Sequence, residues 1–170
     1  DSDGTSYTHR IRAAAGGKID LSKVQTITAP ARSEDVLEIA VTTGGVIDLT
    51  ALEGTFSNSG RIRFQLDAAS YSLPQLTAAR GTEFRLRSDG RLELPLLDLW
   101  DRGSIVVPAA GALSAPNLVS LTNSSLTVAG NHELAFTKLA NIDNSRFAIS
   151  AGAHVTIPAT SYSASGLAGD

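Results

Sequence analysis

The sequence predicts an all-β fold, a parallel β-helix (β-solenoid) of about seven coils with about 21 residues in each. A corner position, usually proline, recurs at Pro74, Pro95, Pro116, Thr137 and Pro158, at a constant spacing of 21 residues. The phrase Gly-Gly-x-Ile-Asp-Leu-Ser/Thr occurs twice near the start of the chain. One coil cannot bury its apolar side chains alone, so repeats of this length are expected to stack into a continuous core.

Apolar residues keep a fixed phase with the corner position. Two residues after it come Val24, Leu52, Leu76, Leu97, Leu118 and Leu139, and five residues after it come Ile27, Ala79, Trp100, Leu121 and Ile142, with the second coil out of phase. The alternation predicts two short strands per coil, each with one face inward. Trp100 is therefore expected in the core, and the longer intervals before Pro74 predict loop insertions in the first two coils.

Two features of the architecture stay open in the sequence. Leucine-rich horseshoes have a similar repeat length and are the competing architecture. However, four residues separate Leu121 from Leu126, and most coils lack the asparagine that horseshoes usually carry, so the pattern favours the β-helix. The handedness of the coil is expected to be right-handed on general grounds.

The coils also resemble known repeat families. The segment 115–121 followed by 125–128 resembles the repeats of receptor L-domains, and the Gly-Gly-x-Ile-Asp-Leu-Ser/Thr phrase resembles tandem repeats of very long bacterial surface proteins. The resemblance covers most of the chain and implies a repetitive extracellular fold. The cysteines and capping helices of L-domains have no counterpart in this sequence.

Composition excludes several classes of function. The net charge of −3, with 18% charged residues, provides no basic field for nucleic acid or an anionic membrane. No apolar run is long enough to predict membrane insertion, and no signal peptide is visible. Cysteine is absent, which removes disulfides and thiolate chemistry. The Ser/Thr/Ala/Gly-rich, cysteine-free composition suits an exported bacterial protein at the cell surface or outside the cell.

Three segments are predicted. Residues 1–10 form a linker or the entry from a preceding repeat, residues 11–160 form the β-solenoid, and residues 161–170 form a flexible tail or linker. Asp1 and Asp3 begin like a calcium loop, but no acidic residue closes it within the next dozen positions. We therefore interpret this start as part of the linker.

No catalytic, cofactor or metal site is predicted. Asp20, Asp48 and Glu93 share one outward column, where neighbouring carboxylates could bind calcium or act as an acid/base pair. Only Asp20 and Asp48 are on adjacent coils, so a solvated face is the preferred interpretation. His132 and His154 lie about one coil apart without a third ligand nearby. Asn123 and Asn144 are expected to stack at a polar corner.

Basic side chains concentrate in the middle coils. The sequence suggests columns of alternating charge, with Arg10, Glu38, Gln65 and Arg85 in one of them. A local basic cluster is the candidate ligand or partner face and consists of Arg61, Arg63, Arg85, Arg87 and Arg91.

The sequence thus predicts a non-catalytic structural, adhesive or binding module of a larger exported bacterial protein. The alternative is a carbohydrate-active β-helix enzyme, a polysaccharide lyase or glycoside hydrolase, or the carbohydrate-binding part of one, which only fold analogy supports. Expected partners are neighbouring domains of the same chain and a carbohydrate or protein ligand. Weak self-association is expected as well, because the outward side chains of the later coils become small and apolar and the end coils are open.

Overall fold

The computed structural model describes residues 5–42, 44–67, 70–87 and 89–165, which form strands and turns without a helix. Within these ranges nineteen strands follow one another in seven layers. Coil by coil they are β1 (Thr8–Ala13), β2 (Lys18–Asp20) and β3 (Thr26–Thr28); β4 (Val36–Val41), β5 (Val46–Asp48) and β6 (Gly54–Phe56); β7 (Arg61–Leu66), β8 (Ser70–Ser72) and β9 (Ala78–Arg80); β10 (Thr82–Leu86), β11 (Arg91–Glu93) and β12 (Leu99–Asp101); β13 (Ser104–Val107), β14 (Ala112–Ser114) and β15 (Ser120–Thr122); β16 (Ser125–Ala129) and β17 (Glu133–Ala135); and β18 (Arg146–Ser150) and β19 (His154–Thr156).

Strands of equivalent position stack in parallel and form three faces. Face A is a seven-stranded sheet in the order β1-β4-β7-β10-β13-β16-β18. Face B contains the second strand of each coil, and face C contains the third. The chain is a parallel β-solenoid of about six turns, so the predicted fold class is confirmed.

The prediction of two strands per coil was wrong, because each complete coil has three. The strands of face C have only three residues each and usually direct one side chain inward, as Trp100 does in β12. A single inward residue produces no visible alternation, so periodicity could not reveal this strand. Strands on three sides also distinguish the fold from the leucine-rich horseshoe.

The loop insertions predicted for the first two coils are confirmed, and both lie at the corner between faces C and A. Seven residues (29–35) join β3 to β4, and four residues (57–60) join β6 to β7. In the third coil Gly81 alone joins β9 to β10. The faces therefore keep their register while this corner takes up the differences in length.

The corner between faces B and C is the same turn in six coils. In the third coil the amide of Leu76 donates a hydrogen bond to the carbonyl of Leu73, with Pro74 as the second residue of the turn. Proline suits this position because its fixed φ matches the turn and its missing amide is not needed there. The recurring proline of the sequence is thus explained by a repeated β-turn.

The core is continuous and apolar along the axis. Trp100 is 1% exposed, which confirms its predicted inward position. Its ring meets Phe84 edge to face at 5.5 Å, and Phe84 stacks on Phe64 at 5.0 Å. The indole nitrogen donates to the carbonyl of Thr82 at 3.3 Å, so the polar edge of the ring is satisfied inside the core.

The sequence suggested that the second coil is out of phase with the other coils. The structure shows that it keeps the common phase. Thr55 pairs with Ile27 on one side and Ala79 on the other, and its side chain is fully buried. Its hydroxyl lies 2.7 Å from that of Thr82. The apolar pattern did not reveal this inward position, because Thr55 is polar. Its hydrogen-bond partner, Thr82, comes from a different face of the solenoid.

The ends of the described chain are built into the solenoid. Thr8–Arg10, within the segment predicted as a linker or the entry from a preceding repeat, are the first residues of β1. Near the other end Ser163 and Ser165 donate backbone hydrogen bonds to the side chains of Asp143 and Asn144. Asp1 and Asp3 lie outside the described residues, as do residues 166–170.

Candidate functional site

The most organised group of charged side chains is a ladder on the outer surface of face A. Its members come from four successive strands that pair in register, and they are Arg10, Glu38, Arg63 and Glu83. We call this set the charge ladder. Arg10 Nε lies 2.6 Å from Glu38 Oε1, and Arg63 Nε lies 2.7 Å from Glu83 Oε2. Arg63 Nη1 also lies 3.8 Å from Glu38 Oε2, so the charges alternate without a break over four coils.

The predicted columns of alternating charge had the wrong register. Glu38 pairs with Arg63, and Gln65 lies beside Ala40 instead. The error came from the second coil, where the loop 57–60 is shorter than the loop 29–35 of the first. The alternation itself is therefore more regular than the sequence suggested.

The inner members of the charge ladder are only partly accessible. The side chains of Glu38, Arg63 and Glu83 are 13%, 17% and 20% exposed, because each lies between neighbours on both sides. Ion pairs at this burial are less screened than isolated surface pairs and hold one another in place as a network. Arg85 extends the network, with its Nε 2.8 Å from Glu83 Oε1.

Glu83 is held as a carboxylate. Burial alone would raise its pKa, but hydrogen bonds from Arg63 and Arg85 and the charges of both guanidiniums together lower the pKa below its usual value. A carboxyl group in this state does not donate a proton near neutral pH. Its chemistry is that of a structural anion between two cations.

The five arginines of the predicted ligand face are distributed over two faces. Arg61 and Arg63 lie on β7, Arg85 on β10 and Arg91 on β11, and Arg87 follows the end of β10. Face A thus holds three of them and face B holds Arg91. The structure does not bring all five together at one point.

These arginines also differ in what they contact. Arg63 and Arg85 bind Glu83, and Arg87 Nε lies 3.5 Å from Asp67 Oδ1. Among the described residues no carboxylate lies within ion-pair distance of the exposed Arg61 or Arg91. A ligand with negative charge would therefore compete with internal partners at three of the positions and find two guanidiniums free of them.

Each outward aspartate of face B accepts hydrogen bonds from the turn that follows its own strand. Asp20 and Asp48 are paired neighbours on β2 and β5. Asp20 Oδ1 accepts hydrogen bonds from the hydroxyl and the amide of Ser22, which lower its pKa, and Asp48 Oδ1 accepts one from the amide of Thr50. Glu93 lies farther along the face, between Ser72 and Ser114. The aspartates act as side-chain caps of the turn that follows each strand.

A second polar group lies at the corner between faces C and A. Asp101 Oδ1 accepts hydrogen bonds from Asn123 Nδ2 at 2.8 Å and Thr122 Oγ1 at 3.0 Å. Asn144 Nδ2 donates to Asn123 Oδ1 at 3.2 Å, so the predicted stacking of the two asparagines is confirmed. Arg102 completes this polar corner by donating to Ser57 O in the insertion loop at 2.6 Å.

The backbone explains which residues this corner selects. Gly81, Arg102, Asn123 and Asn144 occupy the same position in four successive coils, and all have φ between 51° and 64°. Asparagine tolerates this left-handed conformation better than most residues. Burial raises the pKa of Asp101, but hydrogen bonds from Asn123, Thr122 and Arg102 outweigh it and keep the pKa low. The sequence could have shown this corner, because residues 102, 123 and 144 share the repeat spacing.

Face B is open between β14 and β17. In the adjacent coils the amide of Leu94 donates to Ser114 O, and the amide of Phe136 donates to Thr156 O. The corresponding bond between Ala115 and Ala135 is not formed, and a cavity of about 140 Å³ lies between the two strands. This volume is smaller than typical ligand pockets and suits a few water molecules.

The turn before β17 differs from those of the neighbouring coils at this opening. The amide of His132 donates to Gly130 O, whereas the amides of Gly111 and Ala153 at the equivalent positions donate to Pro108 O and Ser150 O. The His132 ring then hydrogen bonds to Pro108 O at 2.9 Å.

Neither histidine is part of a metal centre in the described ranges. His154 Nδ1 lies 3.4 Å from Glu133 Oε2, and both side chains are well exposed. No group of three His, Cys, Asp or Glu residues suited to a metal ion occurs in that part of the chain. It also contains no helix that could cross a membrane.

Comparison of the chain with protein-family models, curated proteins and solved structures found no match. The candidate site therefore has to be interpreted from its own contacts.

Proposed function

We propose that the chain is a non-catalytic structural or binding module of a larger exported bacterial protein, exposed at the cell surface. The charge ladder is the observation that carries the proposal. Its ion pairs run along the solenoid axis and join four coils, so the most organised polar groups of the surface serve the stacking of the coils.

The carboxylates support this proposal over an enzyme. Glu83 is an anion between two guanidiniums, and Asp20 and Asp48 each accept hydrogen bonds from the turn that follows them. Glycoside hydrolysis needs one carboxyl group that stays protonated and donates its proton to the leaving group. The shifts at Glu83, Asp20 and Asp101 run in the opposite direction.

Composition and the repeat phrase support the surface location. The chain is cysteine-free, and its Gly-Gly-x-Ile-Asp-Leu-Ser/Thr phrase resembles repeats of long bacterial surface proteins. In such proteins a stack of coils spaces or presents other domains. Neighbouring domains of the same chain are therefore the first partners that we propose.

A ligand is proposed for the five arginines of the predicted basic cluster. Guanidinium groups bind carboxylates and sulfates through paired hydrogen bonds, so an acidic polysaccharide fits the chemistry. Arg61 and Arg91 should contribute most, because Arg63, Arg85 and Arg87 have acidic neighbours. These two positions lie on different faces, so an extended chain that passes around the corner suits them better than a small sugar.

The proposal is tested with the purified chain and a panel of acidic and neutral polysaccharides. We expect no new reducing ends and no unsaturated products after long incubation. Turnover that disappears in Asp20→Asn or Asp48→Asn would establish an enzyme instead. Both substitutions should leave folding nearly unchanged, because asparagine retains the oxygen that accepts the corner hydrogen bonds.

Binding is measured separately by affinity electrophoresis in gels that contain each polysaccharide. Arg61→Gln and Arg91→Gln should both reduce the retardation by an acidic polysaccharide. Lys23→Gln is the matched control, because it removes the same charge at an exposed corner between faces B and C. Equal loss in all three variants would indicate nonspecific attraction only. Retention of an acidic protein without any polysaccharide binding would favour a protein ligand.

A further inference from the structure

The insertion loop between β6 and β7 is held in place from both sides. Arg102 Nη2 donates to Ser57 O at 2.6 Å, and the amide of Gly60 donates to Pro30 O at 3.1 Å. The Ser57 hydroxyl also donates to Gly60 O within the loop. The backbone of this loop is therefore ordered by contacts with the coils before and after it.

The two residues in the middle of this loop face the solvent. Asn58 and Ser59 are exposed, whereas Ser57 and Gly60 on either side of them are buried. Insertions in repeat proteins lie on one face of the solenoid, which is often the binding face. Because the loop is already ordered, it loses little conformational freedom when a ligand binds. It thus offers two polar side chains in a preorganised position.

Phe56 places an aromatic ring beside the loop. It is the last residue of β6, and its side chain is outward and 38% exposed. The other four phenylalanines of the chain are buried or half-buried. The ring packs over Gly54, where a Cβ would lie 2.9 Å from two of the ring carbons. It therefore lies against the outer surface of face C, with part of it open to solvent.

Arg80 brings a positive charge to this ring. Its guanidinium carbon lies 5.7 Å from the centroid of the Phe56 ring. Asp101 is the neighbour of Arg80 on the other side, but its carboxylate accepts hydrogen bonds from Thr122 and Asn123 of the following coil. Among the described residues no carboxylate lies within ion-pair distance of Arg80. Its charge is therefore not neutralised by an ion pair within that part of the chain.

Arg61 lies at the same corner. The amide of Ile62 donates to Gly81 O at 3.0 Å, so Arg61 lies beside Gly81, the residue that follows Arg80. Gly81 has φ of 64°, and a Cβ there would overlap with Ser57. The corner between the two arginines therefore has no side chain of its own.

We propose that this corner is a binding site for one uronate residue of an acidic polysaccharide. We call it the insertion corner, and it consists of Phe56, Asn58, Ser59, Arg61 and Arg80. The apolar face of the sugar ring packs on Phe56, and its carboxylate bonds to the guanidiniums of Arg61 and Arg80. Asn58 and Ser59 bond to the sugar hydroxyls. The inference rests on the ligand binding proposed above and gives that ligand a defined site and a sugar class.

The probes are tetrasaccharides of galacturonate, of mannuronate and of hyaluronan, and calorimetric titration of the unaltered chain measures their binding. At least one of them should bind. Its carboxyl-reduced form, which has the same rings without the charge, should bind about tenfold more weakly or less. Binding of none of the three would overturn the inference. Retardation by an acidic polysaccharide in the gels would in that case still support the proposed function.

Substitutions locate the site. Phe56→Ala and Arg80→Gln should each weaken binding of that tetrasaccharide about tenfold, whereas Phe56→Tyr keeps the ring and should bind like the unaltered chain. Both side chains point outward, so these changes should leave the core intact. Val46→Ala and Lys23→Gln are the controls, since they remove an exposed apolar group and an exposed charge elsewhere. Unchanged affinity in either Phe56→Ala or Arg80→Gln would overturn the inference.

Backbone amide chemical shifts give an independent readout. Titration with the same tetrasaccharide should shift the signals of residues 56–61 and 80–81 most. Loss of affinity in Arg91→Gln together with shifts confined to face B would overturn the insertion corner as the site, although the proposed function would remain. Small shifts spread evenly over the charged surface would show nonspecific attraction and would also contradict a defined site.

Discussion

Thr55 and Thr82 form a hydrogen bond between their hydroxyl groups at 2.7 Å, although they belong to different faces and different coils. Both side chains are fully buried. Thr55 Oγ1 also accepts a hydrogen bond from the amide of Arg80 at 3.3 Å. The pair fastens the end of β9 to the start of β10 at the tight corner around Gly81.

Thr55→Val should lower the free energy of unfolding by about 1–3 kcal/mol, because it leaves polar partners without their bond. Thr55→Val combined with Thr82→Val should cost less than the sum of the two single substitutions. Urea unfolding of the four proteins in a double-mutant cycle measures the coupling. Strict additivity would mean that the two hydroxyls act independently.

Gly103 is predicted to be intolerant of any side chain. A Cβ there would overlap with Trp100 Nε1 and Thr82 O. Gly103→Ala should therefore cost about 3 kcal/mol or more and shift the fluorescence of Trp100 toward longer wavelength. Gly16→Ala is the control, since Gly16 has φ of 82° but open space around its Cα. It should cost only about 1 kcal/mol, with unchanged fluorescence.

The polar corner should discriminate between small residues at position 123. Asn123→Ala loses the hydrogen bond to Asp101 and places an alanine at φ of 51°. We expect a loss of about 1–2 kcal/mol from thermal unfolding. Asn123→Gly loses the same hydrogen bond but adopts this φ freely, so it should be the milder change. The reverse order would show that the backbone conformation is not limiting.

Stability should depend on pH through Glu83. Its pKa in the folded chain lies below the usual value of 4.5, so the contribution of its ion pairs is fully present above that value. The contribution is lost as the pH falls through the folded pKa. The stability difference between the unaltered chain and Glu83→Gln, about 1 kcal/mol near neutral pH, should therefore shrink in acid. Glu93→Gln, on an exposed position of face B, should show little difference at any pH.

His132→Gly should close the opening in face B. With glycine at this position the turn can adopt the form seen at Gly111, and β17 can approach β14. We expect slower hydrogen exchange at the amide of Ala115, because that amide would gain Ala135 O as its acceptor. His132→Ala should slow the exchange as well, because Ala153 at the equivalent position of the next coil makes the turn seen at Gly111. Protection in the glycine variant alone would show that a Cβ at position 132 is enough to hold the strands apart.

The repeat length, the inward columns and the corner prolines could be predicted because each coil repeats the same physical constraints. Face C could not, since each of its strands usually places one residue inward and leaves no alternation to detect. The charge ladder was predicted as alternation but with the wrong partner for Glu38, because the lengths of the two insertion loops set the register. Apolar periodicity carries no information about those lengths.

The individual contacts of the candidate site could not be predicted from the sequence either. In the sequence the five arginines of the basic cluster could not be distinguished from one another. In the structure Arg63 and Arg85 bind Glu83. Arg61 and Arg91 have no carboxylate partner in the part of the chain that the structure describes. Side-chain direction and burial decide this difference. The link between Thr55 and Thr82 joins positions 27 residues apart, which no local pattern connects.

The alternation of the charge ladder gives the solenoid a parity. Deleting the single coil that carries Arg63 would bring Glu38 beside Glu83, and deleting the one that carries Glu38 would bring Arg10 beside Arg63. Removing one of these two inner coils, or duplicating any single coil of the ladder, places like charges together, whereas two adjacent coils can be removed or duplicated without this conflict. The column continues through Ser104 and Ser125, which are neutral, so single coils are exchangeable there. Duplication of the coils that carry the ladder is therefore favoured in pairs, and duplication of the coils that carry Ser104 and Ser125 carries no such constraint.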